Sequence, residues 1–123
     1  MKETDKTNIL IFATYVTCAP LSDVILEAYP KYEIWKISDI ETAVDTILTW
    51  EVDLIIADVN FLARETALAK IDLIGWARDY APTEISILLI GEKENPPAIY
   101  RGQEYFQTPI DTSKLKESIK RLT

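Results

Sequence analysis

DLIIAD, residues 53 to 58, is an apolar run closed at both ends by aspartates. Asp53 reads as the polar start of a buried strand. Asp58 falls where such a strand should stop and a loop begin, and its chemistry there depends on its neighbours. With other acidic residues it holds a metal; beside a fixed cation it can serve group transfer. Buried with neither, it must find hydrogen-bond donors or stay protonated. Cys18, in TCAPLSD, is a second candidate nucleophile. A phosphatase loop needs an arginine to bind the phosphate dianion, and Val24 stands at the place where it is expected. Nothing near Cys18 in the sequence lowers its pKa, so it reads as an inert packing residue.

Composition removes most alternatives. There is no histidine and only one cysteine, so a His/Cys zinc site, a Ser-His-Asp triad and a Cys-His pair cannot be assembled. Glycine occurs only at Gly75, Gly91 and Gly102, too few for a P-loop or a dinucleotide-binding fingerprint. The net charge of -7 opposes nucleic-acid binding, which needs a basic surface. The one basic cluster, KLKESIKRL, reads as a solvated helix face. No apolar run approaches the roughly 20 residues of a membrane span, and MKETDKTN lacks the apolar stretch of a signal peptide. A cytoplasmic domain with no membrane contact, no metal and no cofactor is expected.

The elements that must position Asp58 alternate. NILIFA (8–13) is a strand-length apolar run, and Leu21, Val24, Ile25 and Ala28 recur at helical spacing until Pro30. YEIWKI (32–37) is a second strand. Ser38 and Glu41 form a capping box for a helix carrying Ala43, Val44, Ile47 and Leu48. Residues 53–58 are the third strand, and Leu73, Trp76, Ala77 and Tyr80 mark the inner face of the next helix, which ends before Pro82. ISILLI (85–90) is the fourth strand. The segment EKENPPAIYRG leaves room for only a short helix, Pro97 to Arg101. EYFQ (104–107) is a short fifth strand before a last helix with Leu115, Ile119 and Leu122 inward, capped by Asp111 or Thr112. Residues 1–7 read as a flexible tail and 8–123 as one domain. Five such units predict a flavodoxin-like, doubly wound α/β fold, with a parallel sheet of order 2-1-3-4-5 and a shortened fourth helix. Ligands of such sheets sit beyond the carboxyl ends of strands one and three. Asp58 ends strand three, and Ala13-Thr14 ends strand one.

From Asn8 to Thr123 the chain resembles the CheY-like receiver domain of two-component response regulators. The resemblance is carried by NILIFAT, DLIIADVNF, ISILLIG and YFQTPID, in order. It implies a domain in which Asp58 stands at the phosphoacceptor position. A working receiver also has an acidic pair after strand one to hold magnesium, a hydroxyl after strand four and a lysine before the proline. Here those positions hold Ala13 and Thr14, Gly91, and Thr108 before Pro109. Metal and ammonium neutralise charge on the transferring phosphoryl group, and each lost partner costs several kcal/mol of transition-state stabilisation. Glu92 or Asp23 as displaced metal ligands are not supported by their spacing.

The resemblance therefore implies a degenerate, non-enzymatic pseudo-receiver with a vestigial Asp58, held by Thr14, Thr108 or backbone amides. Its function is expected to be binding of a signalling or regulatory protein, a second copy of the chain included. The expected surface contains Ile99, Tyr100, Tyr105 and Phe106, in the shortened segment before the last helix. Two rivals remain: a small-molecule sensor using the vacated pocket of Ala13, Thr14, Asp58, Gly91 and Thr108, and an atypical phosphoacceptor using Asp58. The family resemblance also predicts a cis Thr108-Pro109 bond.

Overall fold

The computed structural model describes residues 6–123. Alternation within the strands divides the core into two layers. In β1 (Asn8–Phe12), Leu10 and Phe12 point to one face of the sheet and Ile9 and Ile11 to the other, and all four are fully buried. β3 (Val52–Asp58) divides in the same way, with Ile55 and Ala57 on the first face and Leu54 and Ile56 on the second. Strands apolar on both faces must be covered on both faces.

Helix α1 (Tyr15–Ala28) covers the second face through Cys18, Leu21 and Ile25, together with α5 (Thr112–Leu122) through Leu115 and Ile119. The first face carries α2 (Ile40–Thr49), α3 (Val59–Ala69) and α4 (Leu73–Tyr80). With β2 (Glu33–Ile37), β4 (Ser86–Gly91) and β5 (Glu104–Gln107), the strands form one parallel sheet of order β2-β1-β3-β4-β5, as the alternating pattern predicts.

Several local expectations are corrected. Asp39, not Ser38, caps α2, accepting from the Thr42 amide at 2.9 Å. A carboxylate one residue later does what the Ser38–Glu41 capping box was expected to do. Leu48 is 54% exposed because Ile40, Ala43, Thr46 and Ile47 set the inner face. Burial of Thr46 is permitted by its hydroxyl donating to the Thr42 carbonyl at 2.8 Å. The single helix expected after the third strand is two helices, α3 and α4, broken at Lys70, whose φ of 58° ends α3 in the left-handed region. The second of them buries Leu73, Ile74 and Ala77, whereas Trp76 is half-buried and Tyr80 lies exposed against it, their ring centroids 6.1 Å apart.

The short helix between β4 and β5 is a single 3-10 turn, Ala98–Tyr100. Asp111, of the two cap candidates for the last helix, accepts from Ser113 N and Lys114 N. The tail expected for residues 1–7 falls largely outside the described residues. Lys6 and Thr7 belong to no strand, yet the Thr7 carbonyl accepts from Glu33 N at 2.9 Å. Among the described residues no helix is long and apolar enough to cross a membrane.

Candidate functional site at the end of the third strand

Asp58 is the last residue of β3, paired with Ile90 of β4, and also the N-cap of α3. The strand runs into the helix with no loop between them, contrary to the sequence expectation. One carboxylate oxygen of Asp58 accepts from Asn60 N at 2.9 Å and Phe61 N at 3.0 Å. These are two of the amides a helix start leaves without intrahelical partners, and an acceptor there stabilises by about 1 kcal/mol. Of the donors expected, backbone amides are the ones found. The hydroxyl of Thr14 pairs instead with Thr17 at 3.2 Å, and that of Thr108 donates to the Gly91 carbonyl at 3.4 Å. Asp58 is only half-buried, so it does not face the deep desolvation that the sequence reading allowed for.

The residues expected to line one vacated pocket are divided. Thr14 and Asp58 share an open cleft of about 200 Å³ with Asn60, Phe61, Arg64 and Glu92. Ala13 and Gly91 are buried, and Thr108 lines a separate apolar groove between α1 and α5 with Pro20, Leu21 and Ile110. Pro109 follows a cis Thr108-Pro109 bond, as expected from the resemblance.

The Gly91 position is closed by packing. A Cβ there would stand 2.5 Å from the Tyr105 hydroxyl and 2.8 Å from the Val59 Cγ2. Tyr105 is held in that place by donating its hydroxyl to the Lys93 carbonyl at 2.6 Å. Its phenol pKa is raised, first by burial and then by the charge of Asp58. The two groups therefore share one electrostatic environment.

Arg64 was missed by the sequence reading, which gave Asp58 no neighbouring cation. It lies on α3 six residues after Asp58 and lines the same cleft. Its guanidinium sits 5.0 Å above the Phe61 ring and 3.7 Å from Glu65. The helical register of a segment not recognised as helix was the signal that could have found it. Also missed were Tyr15 and Val16, 75% and 80% exposed in the first turn of α1 next to Thr14. Among the described residues no group of three or more Cys, Asp or Glu is arranged to hold a metal ion. Cys18 is buried, its thiol directed to the Ala13 carbonyl at 3.4 Å, and burial pushes its pKa up. A raised pKa suppresses the thiolate, in keeping with a packing role.

The expected interaction residues differ in placement. Ile99 is 74% exposed, but Tyr100 is only 8% exposed and belongs to the core, so it is not available as a contact anchor. With only a 3-10 turn crossing between β4 and β5, its ring fills space on the first face of the sheet. Burial, and then the charge of Asp72, raise its pKa. Tyr105 and Phe106 are half-buried, on opposite faces.

No family model and no curated protein matches the chain. Solved structures do match it, over nearly its whole length. A protein described as a response regulator from Chloroflexus aurantiacus is 20% identical with a TM-score of 0.74, covering 96% of this chain and 98% of that one. The signal receiver domain of a DNA-binding response regulator from Colwellia psychrerythraea is 16% identical, with a TM-score of 0.71 and the same two coverages, 96% and 98%. A chemotaxis response regulator of Vibrio cholerae is 16% identical with a TM-score of 0.62, covering 98% of this chain and all of that one. The chain has the receiver-domain fold, and at these identities the likeness is one of fold.

Proposed function

We propose that this chain is a pseudo-receiver, a signalling module with the receiver fold that works by binding a protein partner and not by accepting phosphate at Asp58. The observation that carries this reading is the use of the Asp58 carboxylate as the cap of α3, beside a Gly91 position filled by Tyr105 and Val59. Phosphoryl transfer needs preorganised positive charge on the transferring group. The cleft offers one guanidinium, on the exposed and already paired Arg64, and Ala13 and Thr14 cannot supply carboxylates to a magnesium ion. The small-molecule rival is weakened by the same cleft, whose 200 Å³ is below the roughly 300–1,000 Å³ of ligand sites.

The partner surface is assigned to the segment around Ile99 and the adjoining β5, with a protein, this chain's own second copy included, as its occupant. Regulation then lies in availability of the partner. The test is the amide spectrum with magnesium and beryllofluoride, a phosphoryl mimic. It should remain unchanged at Asp58, Gly91 and Thr108. Saturable shifts at these three residues would return Asp58 to the phosphoacceptor role and sink the reading.

A further inference from the structure

A cavity larger than the cleft at Asp58 lies at the opposite end of the sheet, and a mismatch between two strands makes it. β4 begins at Ser86, but β5 pairs with it only from Leu88 onward, where Leu88 faces Glu104. Gly102, with φ of 92°, turns the chain away below that point. Ser86 and Ile87 consequently have β3 on one side and no strand on the other. The resulting notch in the sheet edge has a volume of about 520 Å³, inside the usual range of ligand sites. It is walled on one face by Ala77 and Arg78 at the end of α4, and on the other by Arg121 and Leu122 at the end of α5.

A strand edge with unpaired backbone groups is a template for another extended segment. The notch is only two β4 residues long and is closed above by Gln103, so it accommodates the end of a strand and not one running through. Charge selects which end. Arg121 is paired with Glu104, which also accepts from Ser118 at 2.9 Å, so these charges satisfy each other. Arg78 has no hydrogen bond or ion pair among the described residues and lines the cavity as its uncommitted cation. The remaining charge, the exposed Glu84, opposes acidic side chains on a ligand, so the cation that can receive an anionic end is Arg78 alone.

We infer that the notch beside Ser86 and Ile87 is a docking slot for the extended carboxyl terminus of a partner polypeptide, its backbone on the β4 edge and its terminal carboxylate on Arg78. The guanidinium fork suits a carboxylate bidentately, and backbone pairing makes the slot tolerant of side-chain identity. This site does not depend on the reading of Asp58.

The probe is an N-acetylated tetrapeptide of alternating threonine and valine with a free carboxylate, compared with the same peptide amidated, and with acetate. Amide shifts are followed in the full chain. The acid should shift Ser86, Ile87 and Gln103 saturably, with a Kd of about 1 mM or tighter, and the amide should bind at least about tenfold more weakly. Arg78→Gln, an exposed helix-end substitution that leaves the core untouched, should remove the difference between acid and amide. Equal binding of acid and amide, equal shifts from acetate alone, or no saturable shift with the acid would each overturn the proposal.

Discussion

The end of β3 and the crossover from β4 to β5 are shaped in opposite physical ways. At the end of β3 the carboxylate is present, and local bonds set its role: Asp58 accepts two amides within three residues of itself. In the crossover no local pattern determines the outcome. Tyr100 is drawn into the core and Tyr105 fills the room that a side chain at position 91 would need, through contacts between residues distant in sequence. A carboxylate at a familiar place thus acquires its chemistry from neighbours, whereas an unfamiliar segment acquires its shape from volume.

The sharpest way to break this comparison is Tyr100→Ala. If packing in the crossover is structural, removing a ring that is 8% exposed should cost about 3 kcal/mol or more, in the range of large aromatic truncations. Urea unfolding measures it. A loss under about 1 kcal/mol would mean that the ring is dispensable to the core and belongs to a surface after all.

Gly91→Thr comes next. The added Cβ meets Tyr105 and Val59 closer than real side chains approach, so Tyr105 must leave its bond to the Lys93 carbonyl. Overpacking of this kind costs about 1–3 kcal/mol. The variant places a hydroxyl at the last position of the fourth strand, yet on the proposed reading magnesium and beryllofluoride should still leave its amide spectrum unchanged. A response in this variant would show that position 91 alone held the site silent.

Asp58→Ala should have the smaller cost of a lost cap, about 1 kcal/mol in thermal or urea unfolding. Asp58→Asn should stay within a few tenths of wild type, since Asn caps as well as Asp. If Asn proved as harmful as Ala, negative charge and not the acceptor oxygen would be what α3 needs.

These differences explain what the sequence disclosed. Strand order and sheet topology were readable because runs such as NILIF and DLIIA are apolar on both faces, a demand that only a doubly covered parallel sheet meets. The cap at Asp111 and the inward Leu115 and Ile119 followed from local pattern as well. The break at Lys70 was hidden because a non-glycine residue takes the left-handed conformation there, leaving no glycine or proline to mark it. Without that helix Arg64 had no assigned direction. Tyr100 and Tyr105 could not be sorted between core and surface, because what decides them is the volume left by a crossover of a single 3-10 turn. No residue type encodes that volume.

The smallest effect tests whether the two regions communicate at all. The Tyr105 hydroxyl has a pKa above the ordinary tyrosine value, first from burial and then from the charge of Asp58. A phenol whose folded pKa is raised contributes stability that is present below the unfolded pKa, about 10, and is lost as pH rises through the folded value. Asp58→Asn removes the charge and leaves the burial. The Tyr105 ring resonances should then titrate at a lower pH than in wild type but still above an ordinary tyrosine, and the loss of stability on alkaline titration should be correspondingly smaller. In a Tyr105→Phe background, Asp58→Asn should no longer alter that alkaline loss, since no hydroxyl remains to sense the charge. If the Tyr105 titration were identical with and without the Asp58 carboxylate, the end of β3 and the crossover would be electrically independent, and only packing through Val59 would join them.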